Sequence, residues 1–148
     1  MNVQIIAALA LAALGGAAST LQAPINARLA AHTGDSVAAA AISFAVGMAI
    51  LSSIALFRAG LPDGSALANA PWWAWAGGAF GAIYVWSALA TVGTLGAVTM
   101  VAALILGQLT AALVIDAVGG FGLQVREIGW TRLLAVAFVA VGLVLSRV

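Results

Sequence analysis

Five side chains in this sequence have the chemistry to hold a solute inside a membrane: Gln22, Asn26, Tyr84, Trp86 and Gln108. Each lies in a run that is otherwise apolar. The densest stretch is "STLQAPINARLAAHTGDS", Ser19 to Ser36, where Pro24, Arg28 and His32 accompany the two amides. Their chemistry is hydrogen bonding and stacking. No nucleophile stands with a base and an acid, and no phosphate loop or metal box is present. Ser43, Ser87 and Thr110 have no His or Lys at a natural spacing. There is no Cys, and the one His and four acids have no ligand spacing. The sequence therefore predicts no catalytic residue, no metal and no cofactor.

These side chains share a depth. Thr33, Gly34 and Asp35 form the turn between the first two apolar segments, and the second segment is centred near Gly47. Counting the same distance back from Gly34, at about 1.5 Å per residue, puts Gln22 close to the bilayer midplane. Asn26 lies less than two turns nearer the surface. Arg28 and His32 lie nearer still, within reach of the headgroups by snorkelling. Gln108 follows the midpoint of a later segment, and Tyr84 and Trp86 sit near the centre of another. A single amide at this depth often ties neighbouring helices together, at about 0.6–2 kcal/mol. Five such groups at one depth point to a lined cavity. Pro24 deletes a helical hydrogen bond and frees a carbonyl near residue 20, a device found at membrane-embedded binding sites.

The elements that must position them follow from composition. The chain has 148 residues, 65% hydrophobic and 6% charged. A soluble domain carries about 25% charged residues, so this is an integral, all-α membrane protein. A helix needs about 20 apolar residues to cross the bilayer. The runs predict five spans in one domain covering residues 1–148, at about 3–31, 37–57, 72–91, 97–117 and 130–146. "VGTLG" (Val92 to Gly96) reads as a tight turn, and Arg58 to Pro71 as the longest polar loop. The runs lack the alternation of a barrel strand. The N-terminal stretch has no charged leader and reads as a retained helix. Trp72, Trp73, Trp75 and Trp130 belong to interfacial belts. Gly77 with Gly81, and Gly15 with Ser19, have the spacing of close helix contacts. Asp35 is placed to cap the second helix, and Asp63 and Glu127 read as solvated loop charges.

An odd number of spans puts the termini on opposite sides. Arg58, Arg126 and Arg132 fall on the N-terminal side, and Arg28 and Arg147 on the other. Three against two is a weak positive-inside bias. It leaves open a single orientation or insertion both ways, with two copies pairing antiparallel. The arginines are scattered and the net charge is +1, which does not suggest nucleic acid.

The order "Q-x-x-x-N-A-x-L" (Gln22 to Leu29), "ISFAVG" (Ile42 to Gly47), "PWWAWAGGAFGAIYV" (Pro71 to Val85), "GQLTAALVIDAVGGFGL" (Gly107 to Leu123) and a final Arg132…Gly142 pattern resembles the YdcZ-like family. This bacterial inner-membrane group is placed in the drug/metabolite transporter superfamily. The resemblance implies a five-helix protein, half of a ten-helix inverted-repeat fold. It also implies that single copies with weak charge bias form antiparallel homodimers, which favours dual topology here. Small multidrug resistance proteins, distant members of the superfamily, use a Glu in the first helix. This chain has none there, and Asp116, near one end of a span, is its one acid within a membrane segment. That argues against proton-coupled cation export and leaves uncharged, zwitterionic or anionic solutes.

The combined expectation is a multi-pass transporter of the bacterial inner membrane, working with a small-molecule substrate amid membrane lipids. Its solute cavity would lie between antiparallel protomers. Gln22, Asn26 and Gln108 would hydrogen-bond the solute, Tyr84 and Trp86 would line the cavity, and Arg28 would serve as an anion contact or gate. Pro24 would kink the first helix. Two alternatives stand beside it: translocation of lipid or lipid-linked sugar, and a structural membrane partner that transports nothing.

Overall fold

A computed structural model describes residues 3–58, 60 and 63–148. Ala59, Leu61 and Pro62 of the expected polar loop lie outside the described residues, as do Met1 and Asn2. Among the described residues the structure is helical, with no strand. The helices are α1 (Val3–Thr33), α2 (Ser36–Arg58), the short α3 (Gly64–Ala68), α4 (Ala76–Val118) and α5 (Trp130–Leu145). A 3₁₀ turn at Trp72–Trp75 leads into α4, and another at Gly120–Gly122 follows it. Among the described residues, three runs are long and apolar enough to cross a membrane: Val3–Thr33, Ser36–Arg58 and Trp72–Val118. The apolar α5 is shorter.

The chain divides into two compact units, Met1–Ala90 and Thr91–Val148. In the first, α1 and α2 form a helical hairpin. Gly34 ends α1 with its N–H on the Ala30 carbonyl at 2.8 Å. Asp35 then caps α2: its two carboxylate oxygens accept from Val37 N (3.1 Å) and Ala38 N (2.9 Å). Those are two of the four N–H groups that a helix start leaves without partners. The core of this unit is built largely from small side chains. Ala39 and Ala40 of α2 and Val85 and Leu89 of α4 are buried, with Ala27, Leu29 and Ala30 of α1 packed against them. Alanine lets helix backbones approach closely, which replaces the hydrophobic drive that lipid does not supply. Of the glycines with close-contact spacing, Gly81 faces a neighbour. A Cβ there would lie 3.8 Å from the Phe44 ring, whereas Gly15, Gly77 and Gly78 face open space. Asp63 caps α3, and its carboxyl is held below the ordinary range by hydrogen bonds from Ser65, the side-chain hydroxyl first.

The second unit pairs the end of α4 with α5. Thr99 Oγ1 donates to the Ser146 carbonyl at 3.1 Å near one end, and Arg132 Nη1 donates to Asp116 Oδ2 at 2.7 Å near the other. These two ties fix the segments antiparallel. The connection is tight: Gly119 sits at φ +64°, and a Cβ there would come within 2.7 Å of Val125 Cγ2.

The expected five-residue turn at Val92 to Gly96 is smaller than predicted. Helix continues through Leu95, and Gly96 alone leaves the helical region, at φ 75°, ψ 162°. That conformation is essentially restricted to glycine, so one residue does what the sequence pattern spread over five. The neighbouring Gly93 is helical, with open space where a Cβ would sit. Gly96→Ala should therefore destabilise the protein by about 1–3 kcal/mol, while Gly93→Ala should be neutral or stabilising by up to about 1 kcal/mol. Equilibrium unfolding in detergent micelles checks the ordering.

Candidate functional site

Ser19, Gln22 and Asn26 of α1 fall on one face. Ser19, Gln22, Ala23, Asn26, Ala27 and Ala30 repeat every three to four residues and are part-buried or buried, as are Thr20 and Leu29 beside them. Leu21, Pro24, Ile25 and Arg28 lie between them and are exposed. At 3.6 residues per turn, Arg28 points about 200° away from Asn26. Its side chain is therefore not part of the Gln22 and Asn26 face. Pro24, also on the outer face, sits inside a helix that continues to Thr33. It lacks the N–H that would bond the Thr20 carbonyl.

Two of the expected residues are tied to neighbouring helices. Gln22 Nε2 donates to Ser43 Oγ on α2 at 3.3 Å. Tyr84 OH and Ser19 Oγ share a hydrogen bond of 3.1 Å. Asn26 differs from both. It is 3% exposed, and its Nδ2 has no hydrogen-bond partner. Leaving a buried amide donor unpaired costs about 1–3 kcal/mol. Gln22 lines an open groove of about 430 Å³ with Ser43, Phe44, Gly47, Met48 and Ser52. Trp86, 47% exposed, lines a second groove of about 370 Å³ with Val37, Ala40, Ile83 and again Phe44. The structure thus brings Gln22 and Trp86 into adjacent grooves that share one aromatic side chain. Gln108 belongs to the other unit, where its side chain is exposed on α4.

Several residues that matter to this geometry carried no chemical signal in the sequence. Ser43 and Ser19 are hydroxyls in apolar runs, and they stand out through the amide and phenol they pair with. Arg132 counted in the sequence as a topology charge and Asp116 as a lone acid, yet they form an ion pair, each side chain about one-third exposed. The Asp116 backbone carbonyl also accepts from Arg126 N at 2.8 Å. The pair borders a small apolar cleft of about 180 Å³ with Leu109, Leu113 and Val136. Asp116 is thus a structural partner in this state. Among the described residues no cluster of His, Cys, Asp or Glu is placed to hold a metal ion.

An arrangement of amides, hydroxyls and aromatic rings on apolar helices offers hydrogen bonds and apolar contact. Comparison with known families decides the class. Residues 7–145 match the family described as "Putative inner membrane exporter, YdcZ". The chain belongs to that family. Membership makes it a multi-pass membrane transporter by class, and the YdcZ family's description names the inner membrane as its site. No curated protein and no solved structure matches the chain.

The Asp116–Arg132 pair gives a direct check on the second unit. Its exposure lies between a surface pair, worth up to about 1 kcal/mol, and a buried one, whose breaking costs about 3–5 kcal/mol. Asp116→Asn should destabilise by about 1–3 kcal/mol. Arg132→Gln added to it should cost little more, and a double-mutant cycle on unfolding free energy reads the coupling.

Proposed function

We propose that this YdcZ-family chain is a five-span, small-molecule transporter that works as an antiparallel, dual-topology homodimer by alternating access. Its solute site in the first unit is built from Gln22, Asn26, Tyr84 and Trp86, and Gln108 of the second unit is a further solute contact. The observation that carries the reading is Asn26: a buried amide donor without a partner, on the same face as Gln22, in a chain whose family is described as an inner membrane exporter. A helix under selection for packing alone would carry an apolar residue there.

Five spans are supported by length. The Trp72–Val118 run has 47 residues, which at 1.5 Å per residue is about 70 Å, more than twice the roughly 30 Å hydrocarbon core. A break at Gly96 divides it into two segments, each about one membrane thickness. The fifth span, α5, has 16 residues and requires local thinning or flanking anchors, for which Trp130 and Arg147 are placed. Five spans with a three-to-two arginine count give nearly equal insertion in both directions. Inverted protomers then supply the two halves of an inverted-repeat transporter, which exchange conformations as the dimer rocks between equivalent states. Arg28, on the outer face of α1, is left out of the solute site.

A second reading has one observation in its favour. Both grooves of the first unit are open and mostly apolar, which suits a lipid or lipid-linked sugar entering from the side. A purely structural partner is disfavoured by the unpaired Asn26 amide, because such a protein has no reason to leave it unsatisfied.

The absence of native Cys makes dual topology easy to test. A single Cys near the N-terminus, or one after Arg147, should label in about half the molecules when intact cells meet a membrane-impermeant thiol reagent. Full labelling at one terminus and none at the other would contradict a self-sufficient inverted dimer.

A further inference from the structure

The two grooves on the first unit hold information about the kind of molecule they accept. Resting on the reading of Gln22 and Asn26 as solute-facing, we infer that the substrate is a net-neutral molecule with a hydrogen-bonding head, carboxamide-like in donor and acceptor pattern, on an aromatic or aliphatic body.

Charge is the first argument. Neither groove is lined by an acidic or basic side chain. The basic residues of α1 are Arg28 and His32, one turn apart on the outer face, away from Gln22 and Asn26. Asp35 is occupied in capping α2. An ionised head in this place would lose its hydration and meet no counter-charge, at a penalty of several kcal/mol per ion. Selection against ions needs no repulsive group here, because the absence of a partner suffices.

The hydrogen-bonding pattern is the second argument. Gln22 gives its Nε2 to Ser43, so its carbonyl oxygen is left to accept. Asn26, one turn further along the same face, has a free Nδ2 donor. Residues at this spacing have Cβ atoms about 5–6 Å apart. One acceptor and one donor at that separation complement a neutral head with one donor and one acceptor of its own. Asn26 is closed off in this state, so its amide meets the solute once the helices part. The Gln22–Ser43 bond, at 3.3 Å, is longer than the usual range of about 2.7–3.2 Å, and a weak bond is readily exchanged for one to a ligand.

The body of the molecule follows from the shared wall. Phe44 lines both the groove that holds Gln22 and the apolar groove that holds Trp86. A head at Gln22 therefore places its body against Phe44, the aromatic ring that the two grooves share. Aromatic rings prefer offset or edge-on contacts with such side chains, worth about 0.5–1.5 kcal/mol beyond area.

Three probes of one size separate the charge classes: benzamide, benzoate and benzamidinium. Tritiated benzamide should bind the full-length protein in proteoliposomes, and the two ions should compete at least about tenfold more weakly. Gln22→Leu should abolish the binding. Because that variant could also perturb packing, Gln22→Glu provides an independent readout: it should invert the preference, making benzamidinium the better ligand. If benzoate or benzamidinium competes as well as benzamide in the wild type, while the Gln22 variants still alter binding, the neutral class is overturned and the site stands. If benzamide fails to bind, or binds equally to wild type and both Gln22 variants, the groove is not a solute site and the underlying reading fails with it.

Discussion

In an apolar medium a hydrogen-bonding group must find a partner or remain a standing cost. Most of this chain obeys that rule. Gln22 meets Ser43, Ser19 meets Tyr84, and Thr99 meets Ser146. Thr20, Ser53 and Thr110 return their hydroxyls to carbonyls one turn back. Arg132 neutralises Asp116. These pairs set which helix faces meet within each unit, because a one-position rotation would leave several of them unmet. Among the described residues, Asn26 alone keeps a fully buried donor unpaired. In a fold this economical with polar groups, that exception is the observation on which the proposed solute site rests.

The sequence made a good part of this legible, for physical reasons. Long apolar runs can only be helices in lipid, so α1 and α2 are visible from composition, and Asp35 is recognisable as a cap from its place after the Thr33–Gly34 turn. The three-to-four-residue spacing that sets Gln22 and Asn26 on one face is also visible, and the same periodicity turns Arg28 away from them. What stayed hidden depends on the register between helices. Ser43 and Ser19 look like any small residue in an apolar run until a partner stands opposite. Asp116 and Arg132, separated by a loop, pair because the loop closes tightly through Gly119, which no periodicity announces. The break in the long α4 run is confined to Gly96, a single residue whose special backbone is indistinguishable in sequence from the helical Gly93 nearby.

Family membership and local geometry answer different questions. Membership in the YdcZ family gives the class of activity and the membrane. The residues show small side chains that let helices come close, one long interhelical bond from Gln22 to Ser43, and two grooves lined by no charged side chain. An inverted dimer needs its two copies to be equally content in either orientation. A chain with few, scattered arginines, one of them neutralised by Asp116, suits that requirement.

The central claim is that the Asn26 amide is kept for a solute and not for the fold. The most direct test is the unfolding free energy of Asn26→Leu in detergent micelles or bilayers, measured beside the parent. Replacing an unpaired buried amide with an apolar side chain of similar size removes its desolvation cost, so the variant should be at least as stable, by up to about 1–3 kcal/mol. A loss of several kcal/mol would mean that Asn26 holds the structure together, and would contradict the claim.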